Sequence, residues 1–464
     1  MNTDPSATWV VLKFGGTSVA GPEQWEAIAR LAAARADTGR RVLLVCSALA
    51  GITDALQELV DSPAEPSDPI LDILQRHEEL ARGLRVASQD LLDDARQFLY
   101  HEHEALHANH HPAHQAALLG IGERLSTRIG ARFLGQRLDA EWVDARDALE
   151  VLPEPEGAES RAWLSARCAA GPSPALQAQW SARSPVLVTE GFVARSADGR
   201  TALLGRGGSD TSAALLAGRL QAGAIEIWTD VAGLFSADPR REPAARLLPA
   251  LGYAEALELA ASGARVVHPR CIRAAAEVGI PIEIHDLARP DATGTRIGAG
   301  IPPGPEGIKA VTRQDGVLVM LLENSDTRQQ VGFLARVFEI VSRRGVSVDL
   351  VATSETTTTI AIDKAANHLA AGAAERLAEA LEEVCRVRWF DDCSCVNLVG
   401  RGARMALARL GPAVASFEDW PLFMLSQSAN DLSISLLVSA EHAPELCARL
   451  HATLIAAGGE GPPA

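Results

Sequence analysis

Three glycine-bearing segments hold the residues best able to grip anions. In Lys13-Phe14-Gly15-Gly16-Thr17-Ser18 the paired glycines let backbone N–H groups approach a polyphosphate without an intervening Cβ, and Lys13 adds a point charge. The lysine precedes the glycines, so the arrangement is not the Walker one, and by itself the segment reads equally as a tight strand-to-helix turn. In Gly205-Arg206-Gly207-Gly208-Ser209-Asp210 a cation, glycines, a hydroxyl and a carboxylate meet at a helix start. Helix capping accounts for Ser209 and Asp210. It does not account for Arg206, whose guanidinium suits a two-pronged grip on a carboxylate. The third segment runs from Trp228-Thr229-Asp230 through Gly233 and Phe235 to Asp238-Pro239-Arg240, and has the form of a nucleotide loop at the carboxyl edge of a parallel sheet or of an ordinary loop. The chemistry such residues would support is phosphoryl transfer to a small anionic acceptor, which depends on positioning and charge neutralisation more than on covalent help.

Each segment must be placed by the strand that ends at it. Apolar, β-branched runs at 9–14, 41–47, 141–144, 186–189, 225–229 and 282–284 alternate with helical patterns at 22–38, from about 53, at 209–220 and at 253–263, while 70–138 reads as helix throughout. That alternation predicts parallel strands joined by crossover helices, in an α/β unit over residues 1–297. The Gly- and Pro-rich stretch 298–307 predicts a linker. Beyond it, strands at 317–322, 347–354 and 357–363 with helices at 332–344 and 367–383 are followed by strands at 395–400, 422–426 and 433–438 with helices at 403–410 and 443–456. This is a roughly 70-residue β-α-β-β-α order given twice, without an obvious nucleophile or metal cluster, and it predicts a pair of modules for sensing or assembly.

The bulk charge narrows the partners. A net charge of −16 and a pI near 5.3 repel a nucleic-acid backbone, so no nucleic acid is expected, and anionic substrates must be held by local cations and N–H groups. Seven scattered cysteines and a start without a basic, apolar leader predict a reducing cytoplasm, with Cys393 and Cys395 as strand residues. No apolar run reaches the ~18 residues of a membrane span, so no membrane is expected. His101, His103, His107, His110, His111 and His114 could share a metal at helical spacing, yet no nearby carboxylate singles out one set. They are read as a solvated helix end, no metal site is predicted, and His268-Pro269 is read as a helix-end turn.

Together the three glycine segments resemble the aspartate kinases of the amino-acid kinase family. The resemblance extends through Ser47-Ala48, Gly122-Glu123 and residues 263–269 into the C-terminal modules, which look like paired ACT domains. It implies a three-layer αβα amino-acid kinase fold with a mainly parallel sheet, followed by two ferredoxin-like ACT modules. The implied division is a catalytic domain at 1–297, a linker at 298–307, a first module at 317–390 inserted in a second made of 308–316 and 391–458, and a tail at 459–464. The implied reaction is ATP-dependent phosphorylation of L-aspartate to 4-phospho-L-aspartate, the entry to lysine, threonine and methionine. Lys13 and Asp210 would be catalytic. Ser47, Thr53, Glu123, Arg206 and Ser209 would hold aspartate, with Arg206 on a carboxylate and Glu123 on the ammonium. Lys13, Gly15, Gly16, Ser18, Thr229, Asp230, Phe235, Arg240 and Arg265 would hold ATP, and Mg2+ would ride mainly on its phosphates and water.

Two positions depart from the family, which usually has lysine at Arg265 and tyrosine at Phe235. In the first module, Ser347, Val348, Asp349, Ser354 and Glu355 match the stretch that holds an effector in lysine-sensing relatives, whereas 324–331, with Thr327 and Gln330, match less well. Lysine is therefore expected ahead of threonine. ACT pairing implies a homo-oligomer, a dimer or larger. The tail from Gly458 reads as a terminus or as a junction, since some members are fused to a diaminopimelate decarboxylase. Two other readings fit the same motifs: a non-catalytic amino-acid sensor, and a kinase for another small acid such as glutamate.

Overall fold

The computed structural model describes residues 9–62, 66–154, 159–264, 266–301, 306–323, 331–367, 369, 372–411 and 420–456. Arg265, the loop 324–330 with Thr327 and Gln330, residues 302–305 of the 298–307 linker and the tail therefore lie outside the described residues. The chain divides into two compact units, one of residues 1–234, 249–257 and 265–301, the other of 235–248, 258–264 and 302–464.

The first unit is a three-layer αβα structure around an eight-stranded sheet. Its strands are β1 (Trp9–Phe14), β2 (Arg41–Cys46), β3 (Ala140–Trp142), β4 (Val186–Glu190), β7 (Ala224–Thr229), β8 (Ala250–Leu251), β9 (Ile282–Asp286) and β10 (Thr295–Ile297), with a separate hairpin of β5 (Val193–Arg195) and β6 (Thr201–Leu203). The order is β3-β4-β2-β1-β7-β9-β10-β8, and every pair is parallel except β9 with β10. Central strands covered on both faces read as nearly continuous apolar runs, and β2 and β4 are buried along almost their whole length.

Alternation then sorts each strand's side chains. Val10, Leu12 and Phe14 of β1, Val42, Leu44 and Cys46 of β2 and Val186 and Val188 of β4 share one core with the helices Pro22–Ala36, Ile52–Asp61, Ser67–Leu84, Gln89–Asn109 and Pro112–Leu134. Lys13 has the opposite parity and faces the helix Gly208–Leu220, where small residues such as Ala213, Ala214, Ala217 and Gly218 are buried. The helices of 70–138 are three, broken by the left-handed caps Arg85 and His110.

The His-rich segment differs from the solvated helix end expected of it. His103 is buried with Nε2 3.1 Å from Ser62 O, its ring lies 4.4 Å from that of His107, and His114 pairs with a carboxylate, Glu102, at 2.7 Å. His268-Pro269 is not the end of a helix but the start of one, Pro269–Val278, with the His268 side chain accepting from Arg270 N. Pro at the first helical position has no N–H to lose, which is why the helix begins there.

The second unit is a six-stranded antiparallel sheet, β12-β13-β11-β14-β16-β15, backed by helices as two ferredoxin-like modules. These strands are β11 (Ala310–Glu323), β12 (Leu350–Thr353), β13 (Thr357–Asp363), β14 (Arg386–Val399), β15 (Leu422–Gln427) and β16 (Ser433–Ser439). The long strands β11 and β14 run through both modules. Val311, Val396 and Leu398 pack under the helix Ala443–His451, while Leu318, Met320 and Leu322 pack under Phe333–Arg343 and Ala373–Leu381. A register shift between Asp315 and Val317 separates the halves. The segment 403–410 is a 3-10 helix, Ala403–Arg409, instead of an α-helix.

Two excursions from the first unit's stretch of chain are built into the second. Ser236 O accepts from Val311 N at 2.8 Å, Ser236 Oγ meets His451 Nε2 at 2.9 Å, and Arg241 pairs with Asp315 at 2.9 Å. Ser262 O accepts from Thr312 Oγ1 at 2.6 Å and from Asn397 Nδ2 at 3.2 Å, and Glu258 bonds Ser433.

Candidate active site

The site forms where β1, β2, β4 and β7 end together, the edge at which open parallel sheets bind ligands. Beyond β1 the chain turns through Gly15 into a short 3-10 helix, Gly16–Val19, with Ser18 N donating to Gly15 O at 2.9 Å and Ser18 Oγ to Trp228 O at 3.3 Å. Gly16 lies against the loop after β2, where a Cβ would stand 3.0 Å from Ala48 O. That loop carries Ser47, whose N–H donates to Phe14 O at 3.1 Å and whose carbonyl accepts from Ser126 Oγ at 2.7 Å. Thr53 is exposed at the second position of the helix Ile52–Asp61.

The second glycine segment opens the helix Gly208–Leu220. Arg206 is exposed between Gly205 and Gly207, whose φ values are +72° and +64°. At Gly207 a Cβ would stand 2.1 Å from the His268 ring, so both the backbone conformation and the ring demand glycine. Asp210 lies in the helix's first turn. Its Oδ1 is 2.6 Å from Lys13 Nζ and its Oδ2 accepts from His268 N at 3.1 Å, with both charged side chains about one-eighth exposed. The two catalytic candidates, 197 positions apart, are thus an ion pair.

Glu123, on the helix Pro112–Leu134, is 4% exposed with Oε2 lacking a hydrogen-bond partner, and burial pushes its carboxyl up to about 8. A buried acid with an open oxygen suits a cationic ligand. Thr229 ends β7 with its hydroxyl donating to Asp230 at 3.1 Å. Phe235 and Arg240 belong to the second unit, Phe235 bridged to Leu247 and Arg240 N donating to Asp238 Oδ1 at 3.0 Å. Ser347, Val348 and Asp349 precede β12, and Ser354 and Glu355 form the turn into β13, with Ser354 Oγ 2.8 Å from Thr357 Oγ1.

Sequence reasoning missed further residues at this edge. Glu190, at the end of β4, is 1% exposed, and burial with the neighbouring Asp144 pushes it up to about 8. An acid closing an apolar strand before glycine, Thr189-Glu190-Gly191, was the available signal. His268, which holds Asp210 through its N–H, was the other. Among the described residues no three His, Cys, Asp or Glu side chains converge as a metal-ligand set.

A parallel sheet with glycine loops at its carboxyl edge, a lysine–aspartate pair between them and a buried acid beside them describes a small-molecule kinase. Residues 8–286 match the family described as the amino acid kinase family. The lysine-sensitive aspartokinase 3 of Escherichia coli K12 is 31% identical over 454 residues, covering 96% of this chain and 99% of its own length. The aspartokinase of Schizosaccharomyces pombe is 30% identical over 507 residues, covering 98% and 94%. The structure of E. coli aspartokinase III with aspartate and ADP, an R-state, superposes with a TM-score of 0.80 at 29% identity, covering 96% of this chain and 99% of that one. The same enzyme with lysine and aspartate, a T-state, gives 0.76 at 28% identity. The chain belongs to the amino acid kinase family and, within it, to the aspartokinases, with ACT modules as its second unit.

Proposed function

We propose that the chain transfers the γ-phosphoryl group of ATP to the side-chain carboxylate of L-aspartate, giving ADP and 4-phospho-L-aspartate, the entry to lysine, threonine and methionine. The observation that carries this reading is the 2.6 Å Lys13–Asp210 pair, which ties the first glycine loop to the second beside the buried Glu123. Lys13 neutralises charge on the transferring group and Asp210 fixes the ammonium in place, while the N–H groups of Gly15, Gly16 and Ser18 line the phosphates. Arg206 takes a substrate carboxylate, Glu123 the ammonium, and Ser47, Thr53 and Ser209 supply hydroxyls. Thr229, Asp230, Phe235, Arg240 and Arg265 hold the nucleotide on the strength of the family motif. Mg2+ bound with ATP would supply further charge neutralisation beside that of Lys13.

The modules divide as 317–390 inserted between 308–316 and 391–458. They sense lysine ahead of threonine through Ser347, Val348, Asp349, Ser354 and Glu355, and pair across subunits as a homo-oligomer. Support comes from the E. coli relative, whose T-state holds lysine. The test is to incubate the purified chain with magnesium-ATP, hydroxylamine and a panel of amino acids. Hydroxamate from aspartate and not from glutamate is expected, with inhibition on adding lysine. Hydroxamate from another acid alone, or none from any at several concentrations without effector, would overturn the reading.

A further inference from the structure

At the carboxyl end of the sheet β3 and β4 run in parallel register, Trp142 opposite Val188, and Val143 N donates to Val188 O at 2.9 Å. Two residues further on, Asp144 and Glu190 are neighbours on the same face, the face covered by the helix Pro112–Leu134. Asp144 lies in the fork of Arg146, with contacts of 3.0 and 2.6 Å, and 3.7 Å from Arg124. Arg124 follows Glu123 in the chain. Glu190 also borders the candidate substrate residues: it pairs with Cys46, the residue before Ser47, and a Cβ on Gly191 would stand 2.7 Å from Ser209 Cα.

We propose that Glu190 is a positioning residue for the aspartate site: as the neutral acid it donates its proton to Asp144, and the pair holds Arg124 and Arg146 in place beside Glu123. Two adjacent buried carboxyls resist ionising together, and the guanidinium fork decides which keeps the charge. Burial alone would raise Asp144, but the Arg146 and Arg124 guanidinia leave it below its ordinary value, whereas Glu190, with Oε2 lacking a partner, is pushed up. The charged and titratable groups facing Glu190 are Asp144 from the loop after β3, Arg146 from the turn Ala145–Asp147, Arg124 from the helix and the buried Cys46 thiol from β2. Ionised Glu190 competes with Asp144 for Arg124 and adds an anion beside a pocket that must take a dicarboxylate.

This inference rests on the placement of aspartate at Glu123 and Arg206. Its test is the pH dependence of KM for aspartate and for ATP in the parent, Glu190→Gln, Glu190→Leu and Glu123→Gln. Ionisation of Glu123 lowers the aspartate KM over the same range, so the Glu190 effect is read as the ratio of the parent's KM to that of Glu190→Gln, which is expected to rise at least about threefold from about pH 7 to about pH 9. Glu190→Gln keeps a donor to Asp144 but cannot ionise, so only the fall in KM due to Glu123 remains in its profile. Glu190→Leu removes the donor and raises the aspartate KM at every pH with the ATP KM nearly constant, and the glutamine variant restores it. A Glu190→Gln profile superimposable on the parent's overturns the proposal, and this measurement decides alone should the leucine variant not fold. If Glu123→Gln leaves the aspartate KM unchanged, the substrate placement has failed. If only the Glu190 variants behave like the parent, the placement stands and the role of the pair has failed.

Discussion

Lys13 Nζ stands 2.6 Å from Asp210 Oδ1, so the last residues of the first strand and the first turn of the helix Gly208–Leu220 are joined by one charge-assisted contact. Removing either partner leaves the other a largely buried charge without its counter-ion. Lys13→Ala is expected to lower kcat by about 10²–10³-fold or more, the range for losing one preorganised electrostatic contact. Asp210→Asn should reduce kcat with less effect on the ATP KM, because its bond from His268 N survives. Hydroxamate formation under saturating substrates is the measurement, and a parental kcat in Lys13→Ala would exclude the pair from catalysis.

As the proposed partner of the substrate ammonium, Glu123 would give the acid side of the pH profile. Burial pushes its carboxyl up to about 8, so at pH 6 the empty site holds a neutral acid that must lose its proton to meet an ammonium. Affinity for aspartate should therefore grow as pH rises, with KM falling about tenfold per unit until the group is ionised. Glu123→Gln should raise KM and flatten this limb, as initial rates from about pH 6 to about pH 8 will show.

Gly207→Ala places a Cβ 2.1 Å from the His268 ring at a φ of +64°. The expected cost is about 2 kcal/mol or more of stability, together with displacement of Arg206 and a raised aspartate KM. Urea unfolding and KM measured on the same preparation separate the two effects. Gly39, which has φ +80° and open space around it, is the control for strain without a clash.

His77 is fully buried, with Nδ1 2.7 Å from Ile73 O, and burial pushes its pKa down to about 4. Its folded pKa lies below the unfolded one. The stability is therefore fully present above about pH 6.5 and lost as pH falls from there towards 4, because only the unfolded chain takes up the proton. Chemical unfolding followed across this window should show the decline, and His77→Leu should make it shallower at some cost in packing.

Much of this was readable in the chain. The strand 9–14 is bounded by its own composition, with β-branched residues before Gly15-Gly16, and 357–363 is bounded by its threonine-rich alternation and by the turns around it. Local signals also mark the glycine loops, since a cation between glycines has few structural uses. The Glu190–Asp144 neighbourhood was hidden because it arises from the register of β3 against β4, which no local pattern encodes. His268 was misread since a His-Pro pair closes one helix as readily as it opens another, and only its bond to Asp210 distinguishes them. The segment 403–410 has helical periodicity over a span too short to choose between an α-helix and a tighter one.

Ser236, Arg241, Glu258 and Ser262 take their hydrogen bonds and ion pairs from Val311, Asp315, Thr312, Asn397, Ser433 and His451. A chain cut after residue 301 would keep every catalytic candidate yet strip 235–248 and 258–264 of the groups that satisfy them. Deleting the second unit is thus no route to a free-standing catalytic unit. Any alteration of the second unit has to come from point changes that spare β11 and the helix Ala443–His451, so that the chain keeps its scaffold.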